Sequence, residues 1–224
     1  MVSRDWYTPA FQIAAMITIY HLSTSRSERI VWLMEELDLG YTLQEFARES
    51  NGAAPEAMRD IHPLGKAPII RDGDLVLAES GAIVDYIVHR HGAGRLALPP
   101  TDPAYARYLY WLHFAEGSLM TLLLIALVLS RIPAANESPA GARVAARVKQ
   151  MLSFVDGELG SGPYFAGEEF TAADIMMTFP FTTMRRFLDY DLAPFLNIVA
   201  YLKRVEARPA YRKAMALAGP KEKS

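Results

Sequence analysis

Hydrophobic and polar positions change period several times along the first ninety residues. Met16–Leu22 (MITIYHL) is a short run of β-branched and aromatic residues and reads as a strand. From Ser25 to Asp38 the apolar positions Ile30, Val31, Leu33, Met34 and Leu37 recur at helical spacing, and Gly40 marks the stop. Tyr41–Phe46 returns to alternation, a second strand. Ser50–Pro55 is loop, and Glu56–Ile61 is expected to form a short helix. Pro68–Arg71 and Leu75–Ala78 flank Asp72-Gly73-Asp74, a tight-turn signal between two short strands. Glu79–His91 then reads as a helix with Ile83, Tyr86, Ile87 and Arg90 in register. The order is βαβ-α-ββα. A βαβ unit demands parallel pairing with a right-handed crossover, and the Asp-Gly hairpin demands antiparallel pairing, so the sheet should be mixed, with helices on both faces.

Strand patterns stop at Gly92–Pro103 (GAGRLALPPTDP), the best linker in the chain. Beyond it Tyr105–Arg131 reads as a long helix or a kinked pair. Ala140–Leu159, Thr171–Met184 and Pro194–Glu206 read as further helices, and there is no internal repeat. The expected organisation is α/β plus all-α: an extension at 1–15, a thioredoxin-like domain at 16–92, a linker at 93–102 and a helical domain at 103–224. Residues 1–15 lack a continuous apolar core and make a poor signal peptide. They read as an extension, or as residues upstream of an alternative start at Met16. The most apolar stretch, Leu119–Leu129, is shorter than the ~20 residues a membrane span needs and reads as a buried helix.

Composition removes whole classes of chemistry. Of 224 residues, 51% are hydrophobic and 21% charged, ordinary for a soluble protein with a sizeable core. A net charge of −2 without any Lys/Arg run offers no nucleic-acid surface. The chain has no cysteine, which excludes disulfides, thiolate–metal sites and a cysteine nucleophile, and suits a reducing compartment. His21, His89, His91 and His113 show no metal-ligand spacing with nearby acids, so no metal is expected.

Three places carry candidate chemistry. Proline lacks an N–H, so Pro68 should begin a strand or follow a cis bond, leaving the backbone of Ala67 open to an added peptide. Glu79-Ser80 opens a helix, where N–H groups bind carboxylates. The bland reading of each is an edge proline and a plain cap. Ser25-Arg26-Ser27-Glu28 is a capping-box sequence at another helix start. A capping hydroxyl accepts from the backbone and leaves its own proton free. Thr171 and Asp174 form a second such box, with Phe170 and Ile175 spaced as a hydrophobic staple, and there the structural reading prevails.

Taken in order, these segments resemble the soluble glutathione transferases. HPLGKAPII is similar to that family's Asn-Pro-x-Gly-Lys-Val-Pro segment and LAESGAIVDYI to its Glu-Ser-x-Ala-Ile-x-x-Tyr segment. SRSERIVWLMEELDLGY is similar to the first helix of serine-type bacterial and fungal members, and AGEEFTAADI to the second-domain folding motif. His62 stands where Asn is usual and Ala67 where Val is usual. The resemblance implies a cis Ala67-Pro68 bond, with glutathione lying along Lys66, Ala67 and Pro68. Ser80 would hold the γ-glutamyl carboxylate and Glu79 the ammonium. It also implies Ser25 as the hydroxyl that meets the sulfur, four residues before Arg29, with Tyr20 as the alternative. Ser23, Thr24 and Ser27 compete in the same loop. Tyr110, Phe114, Glu116 and Ser118 lie on the helix that in the family faces the acceptor pocket and the partner subunit, and Glu116 is in addition a candidate for the glutathione ammonium across the dimer. The expected protein is a cytoplasmic homodimeric detoxification transferase that joins the glutathione thiolate to a small, hydrophobic electrophile, with no membrane partner. The alternatives are a non-catalytic binding or interaction member of the fold and a glutathione-dependent peroxidase. Disulfide reduction is disfavoured by the missing cysteine.

Overall fold

Strand β1 (Ile17–Leu22) is the pivot of the sheet. In the computed structural model, which describes residues 16–221, β1 pairs in parallel with β2 (Tyr41–Phe46) and antiparallel with β3 (Ile69–Asp72). β3 pairs antiparallel with β4 (Leu75–Ala78), giving four strands in the order β2-β1-β3-β4. The expected N-terminal extension lies outside the described residues. A central strand is buried on both faces and needs apolar residues at both parities. Ile17 and Ile19 enter the large core together with α1 (Glu28–Glu36) and α2 (Ser80–Arg90), whereas Tyr20 and Leu22 join a smaller cluster with Met58 and Ile69. That second face is closed by a 3₁₀ turn at Glu56–Met58, shorter than the expected helix. Met58 is its one buried residue, and Ile61, past its end, packs part-buried against the same cluster from outside the helical turn.

Helix α1 begins at Glu28, not Ser25, and the expected capping box does not form. Ser25–Ser27 make a turn instead, in which the Glu28 N–H reaches Ser25 O at 3.2 Å. The Glu28 carboxylate cannot fold back, because it is buried against Thr183 Oγ1, 2.8 Å from each oxygen. Burial raises its pKa to about 8, against the lowering effects of Thr183 and Arg29.

In the helical domain α3 (Tyr105–Phe114), a π-helical turn (Ala115–Met120) and α4 (Thr121–Ser130) form one unbroken run. The 26 residues from Tyr105 to Ser130 are long and apolar enough to cross a membrane by length and composition, well beyond the short apolar stretch expected. Here Trp111, Leu112, Leu119 and Leu123 are buried in the core, with α7 (Ala172–Phe181) packed on α3 and α6 (Pro139–Leu159) on α4. A single-turn α5 (Pro133–Asn136) leads into α6. α7 stops at Phe181, earlier than the expected Met184, just after its internal Pro180. Its N-terminus carries the expected Thr171–Asp174 box: the Thr171 N–H donates to Asp174 Oδ2 at 2.8 Å and the Phe165 N–H to Oδ1 at 3.0 Å. Phe170 packs against Trp32 and Tyr164.

α8 (Leu196–Glu206) is followed by an unanticipated α9 (Pro209–Ala218). Its Tyr211, Ala214, Met215 and Ala218 recur at helical spacing, and Tyr211, Ala214 and Ala218 are its buried residues. It lies on α1: Tyr211 meets the Trp32 ring edge-on at 4.8 Å, and Lys213 pairs with Glu35 at 2.6 Å. Just before it, Arg208 pairs with both Glu36 oxygens at 2.6 and 2.7 Å.

Candidate functional site

A cavity of about 360 Å³ lies between the α/β module and the helical domain. Thr24, Ser25, Arg26, Lys66 and Ala67 line one side, and Met120, Leu124, Leu127, Phe179, Met184 and Phe187 the other. Arg48 and Arg131 complete it with Arg26 and Lys66 as its cations, and no carboxylate is among the lining residues. The Arg131 guanidinium is exposed and has no side-chain partner among the described residues. The wall is therefore apolar on the helical side and positively charged around it.

Ala67-Pro68 is cis. Neither the N–H nor the C=O of Ala67 is hydrogen-bonded among the described residues. That free edge is where an extended peptide can add by main-chain pairing. Because Ile69 pairs with Ala78 in the hairpin, Pro68 and Glu79 are brought side by side. Glu79 is exposed and has φ 75°, a region rarely adopted outside glycine and worth inspection at a binding site. Ser80, the first residue of α2, is buried, and its hydroxyl has no protein partner among the described residues. Glu79 and Ser80 are not part of the cavity lining; they extend the site along the sheet.

Ser25 is the hydroxyl that faces the cavity from a fixed position. It is 7% exposed, and its Oγ lies 2.7 Å from Ser27 Oγ. Ser27 Oγ in turn lies 2.8 Å from His21 Nδ1 and accepts from the Leu22 N–H at 3.3 Å. His21 sits at the same parity as Ile17 and Ile19, and burial lowers its pKa to about 4, with Glu45 opposing and Lys221 reinforcing the shift. The ring is therefore neutral at pH 7. The competitors sit otherwise. Ser23 Oγ donates to Phe46 O at 3.3 Å, and Tyr20 OH, in the smaller cluster away from the cavity lining, accepts from Arg71 Nε at 3.0 Å. Thr24 lines the cavity with φ 52°.

Arg48 went unnoticed in the sequence, where it is one charge in a loop. Its guanidinium donates to Ser23 O at 2.9 Å, Thr24 O at 2.9 Å and Gly52 O at 2.8 Å, and stands over the Phe187 ring. Two of its nitrogens thus hold the loop that presents Ser25, and the third ties that loop to the turn at Gly52. Tyr110, Phe114, Glu116 and Ser118 do not line the cavity; Met120, the last residue of the π-helical turn, and Leu124 and Leu127 of α4 do. Tyr110 stacks on Phe114, and Glu116 bonds Arg26 at 2.5 Å and the buried Arg29. Burial would raise the Glu116 pKa, but the two guanidiniums outweigh it and hold the carboxyl below its usual range. Arg29 also donates to Met176 O at 2.6 Å, so this pair joins α1 to the helical domain. No group of three or more metal-ligating side chains occurs among the described residues.

A mixed sheet with an open cis-proline edge, apposed to a helical domain across a cation-rimmed cavity, defines a thioredoxin-like domain joined to a helical domain, with a candidate site between them. The family model for the glutathione S-transferase N-terminal domain matches residues 19–95, and that for the C-terminal domain matches residues 119–209. Glutathione S-transferase 3 of Schizosaccharomyces pombe is 36% identical over 89% of this chain and 86% of its own length. The crystal structure of a glutathione S-transferase from Actinobacillus pleuropneumoniae aligns with a TM-score of 0.82 at 36% identity, over 92% of this chain and 94% of that one. A Pseudomonas fluorescens family member, solved with two glutathione molecules bound, shares the fold at TM-score 0.76 and 24% identity, over 92% and 95%. The chain belongs to the glutathione S-transferase family, and its function is that of a glutathione transferase.

Proposed function

We propose that the chain binds glutathione along Lys66, Ala67 and Pro68, with the γ-glutamyl carboxylate at Ser80, the ammonium at Glu79 and the sulfur at Ser25. The thiolate attacks a small apolar electrophile held by Met120, Leu124, Leu127, Phe179, Met184 and Phe187. The observation that carries this reading is the single cavity that joins Ser25 and the Ala67 edge to those apolar side chains. A free thiol has a pKa near ~8.5 and is mostly protonated at neutral pH. A hydroxyl donor and the surrounding cations favour its anion. The thiol proton leaves to water, the sulfur–carbon bond forms, and the leaving group or the electrophile's π electrons take the displaced pair.

The active species is a cytoplasmic homodimer that disposes of reactive electrophiles. The exposed apolar cluster of Tyr110 and Phe154, packed about Trp111 and Phe114, supports a partner face on the helical domain. Light scattering on the purified protein tests this, and a monomer refutes it. Glu116 is committed to Arg26 and Arg29 and is not proposed as a ligand of the glutathione ammonium. Calorimetry with glutathione tests binding, and absence of binding ends the reading. Thiolate absorbance of bound glutathione in Ser25→Ala and Tyr20→Phe tests the chemistry. The pKa is expected to rise in the first and stay in the second; an unchanged value in Ser25→Ala removes Ser25 from its role.

A further inference from the structure

We infer that His21 is a positioning residue for the reaction, acting through Ser27 to fix the direction in which the Ser25 hydroxyl donates. This rests on the reading that Ser25 meets the glutathione sulfur. A serine hydroxyl has one proton and two lone pairs, so the buried chain His21–Ser27–Ser25 can be counted out. Ser27 Oγ accepts from the Leu22 N–H at 3.3 Å, lies 2.8 Å from His21 Nδ1 and lies 2.7 Å from Ser25 Oγ. The other outlet for its proton, Leu22 O, is 3.5 Å away.

Two tautomers of a neutral His21 give two different sites. With the proton on Nδ1, that N–H and the Leu22 N–H fill both lone pairs of Ser27, whose own proton must go to Ser25. Ser25 Oγ then accepts from the Ser27 hydroxyl and from the Ser27 N–H at 3.3 Å. Its lone pairs are full, and its proton has only the cavity to point into. With the proton on Nε2, Nδ1 takes the Ser27 proton, Ser27 takes the Ser25 proton, and the cavity loses its donor.

The surroundings select the first tautomer. Nε2 has no hydrogen-bond partner among the described residues, and His21 is 1% exposed. Among the described residues Nδ1 is the ring nitrogen with a protein partner, and Ser27 Oγ can accept its N–H, so the proton is placed on Nδ1. Glu45, opposite His21 in the β1–β2 register, pairs with Lys221 Nζ at 2.8 Å. Hydrogen bonds running in one direction polarise each other, so the chain also strengthens the final Ser25 O–H toward sulfur. No covalent bond to the protein forms in this step.

Nitrogen-15 chemical shifts of His21 in the glutathione-bound wild-type protein read the tautomer without any substitution. A protonated Nδ1 is expected; a protonated Nε2 overturns the inference. His21→Leu should raise the pKa of bound glutathione by about one unit, with the affinity for the protonated thiol, measured well below that pKa, unchanged. His21→Asn, which can place an amide N–H near the Nδ1 position, should reverse most of that rise. If His21→Leu does not fold, Ser27→Ala cuts the same chain and should show the same rise. In a Ser25→Ala background neither change should add anything; an undiminished further rise there refutes the relay. If instead Ser25→Ala alone leaves the pKa unchanged, the parent reading of Ser25 fails, a separate result.

Discussion

Replacing Glu28 by Gln should flatten the fall in stability between pH 6.5 and pH 8. Glu28 is 3% exposed and its pKa is raised from 4.5 to about 8, chiefly by burial. In this window the folded protein keeps the Glu28 proton and the unfolded chain has lost it. The unfolded state binds fewer protons, so stability falls as pH rises, by about 1.4 kcal/mol per unit while the difference holds. The fall levels off as pH reaches the folded pKa, leaving a loss of about 2 kcal/mol from pH 6.5 to 8. For a chain of this size that is roughly 4 to 8 °C in Tm. His21 and Asp174, whose folded pKa values lie at about 4 and about 6, work at lower pH: His21 makes stability rise from pH 4 toward 6.5, and Asp174 makes it fall from about 4 to 6. Thermal unfolding of the wild type and Glu28→Gln at half-unit steps isolates the Glu28 contribution. Gln keeps an acceptor for Thr183 and cannot titrate. Equal slopes in the two proteins would refute the assignment.

Other substitutions probe other parts of the molecule. Asp174→Ala removes the box at the start of α7 and leaves the Phe165 and Thr171 N–H groups unpaired; it should cost ~1 kcal/mol or more in chemical denaturation, with glutathione KM unchanged. Glu116→Ala leaves the buried Arg29 guanidinium without its carboxylate and should cost about 3 to 5 kcal/mol; a loss below ~1 kcal/mol would mean the pair behaves as a surface contact. Arg48→Met frees the carbonyls of Ser23 and Thr24, and should lower kcat more than glutathione affinity if its role is to hold Ser25 in place. Arg131→Ala should leave stability within ~0.5 kcal/mol and alter acceptor KM, measured across neutral and anionic electrophiles.

The sheet was readable because its signals are local. Alternation in Tyr41–Phe46, the Asp-Gly turn and the proline at 68 each carry their structural meaning within a few residues. α9 went unread although Tyr211, Ala214, Met215 and Ala218 recur at helical spacing; the run is short, and what holds it, Trp32 and Glu36, lies more than 170 residues away. The loop around Ser25 was half readable. Its hydroxyls were visible, but the capping-box sequence suggested a helix one turn too early, since nothing local says that Glu28 is claimed by Thr183. His21 showed one sign, a histidine at a core-facing parity of a strand. On the long rod the sequence left pocket and dimer packing both open for Tyr110 through Ser118, because helical periodicity does not say which part of a 26-residue rod faces the sheet, nor where a π-helical turn shifts its faces.

The return of α9 onto α1 has a consequence for how the protein is made. Synthesis runs from the N-terminus, so the α/β module leaves the ribosome before the helical domain. Its first helix carries Trp32, Glu35 and Glu36 toward partners that are synthesised more than 170 residues later, at residues 208–213. Until those residues emerge, the helix that opens at the candidate sulfur site lacks its outer cover. The module cannot reach its final form as an independent early folder. Completion of the candidate site is tied to synthesis through residue 213, and a nascent protein cut short before Arg208 would carry every proposed glutathione contact without the packing that holds their scaffold.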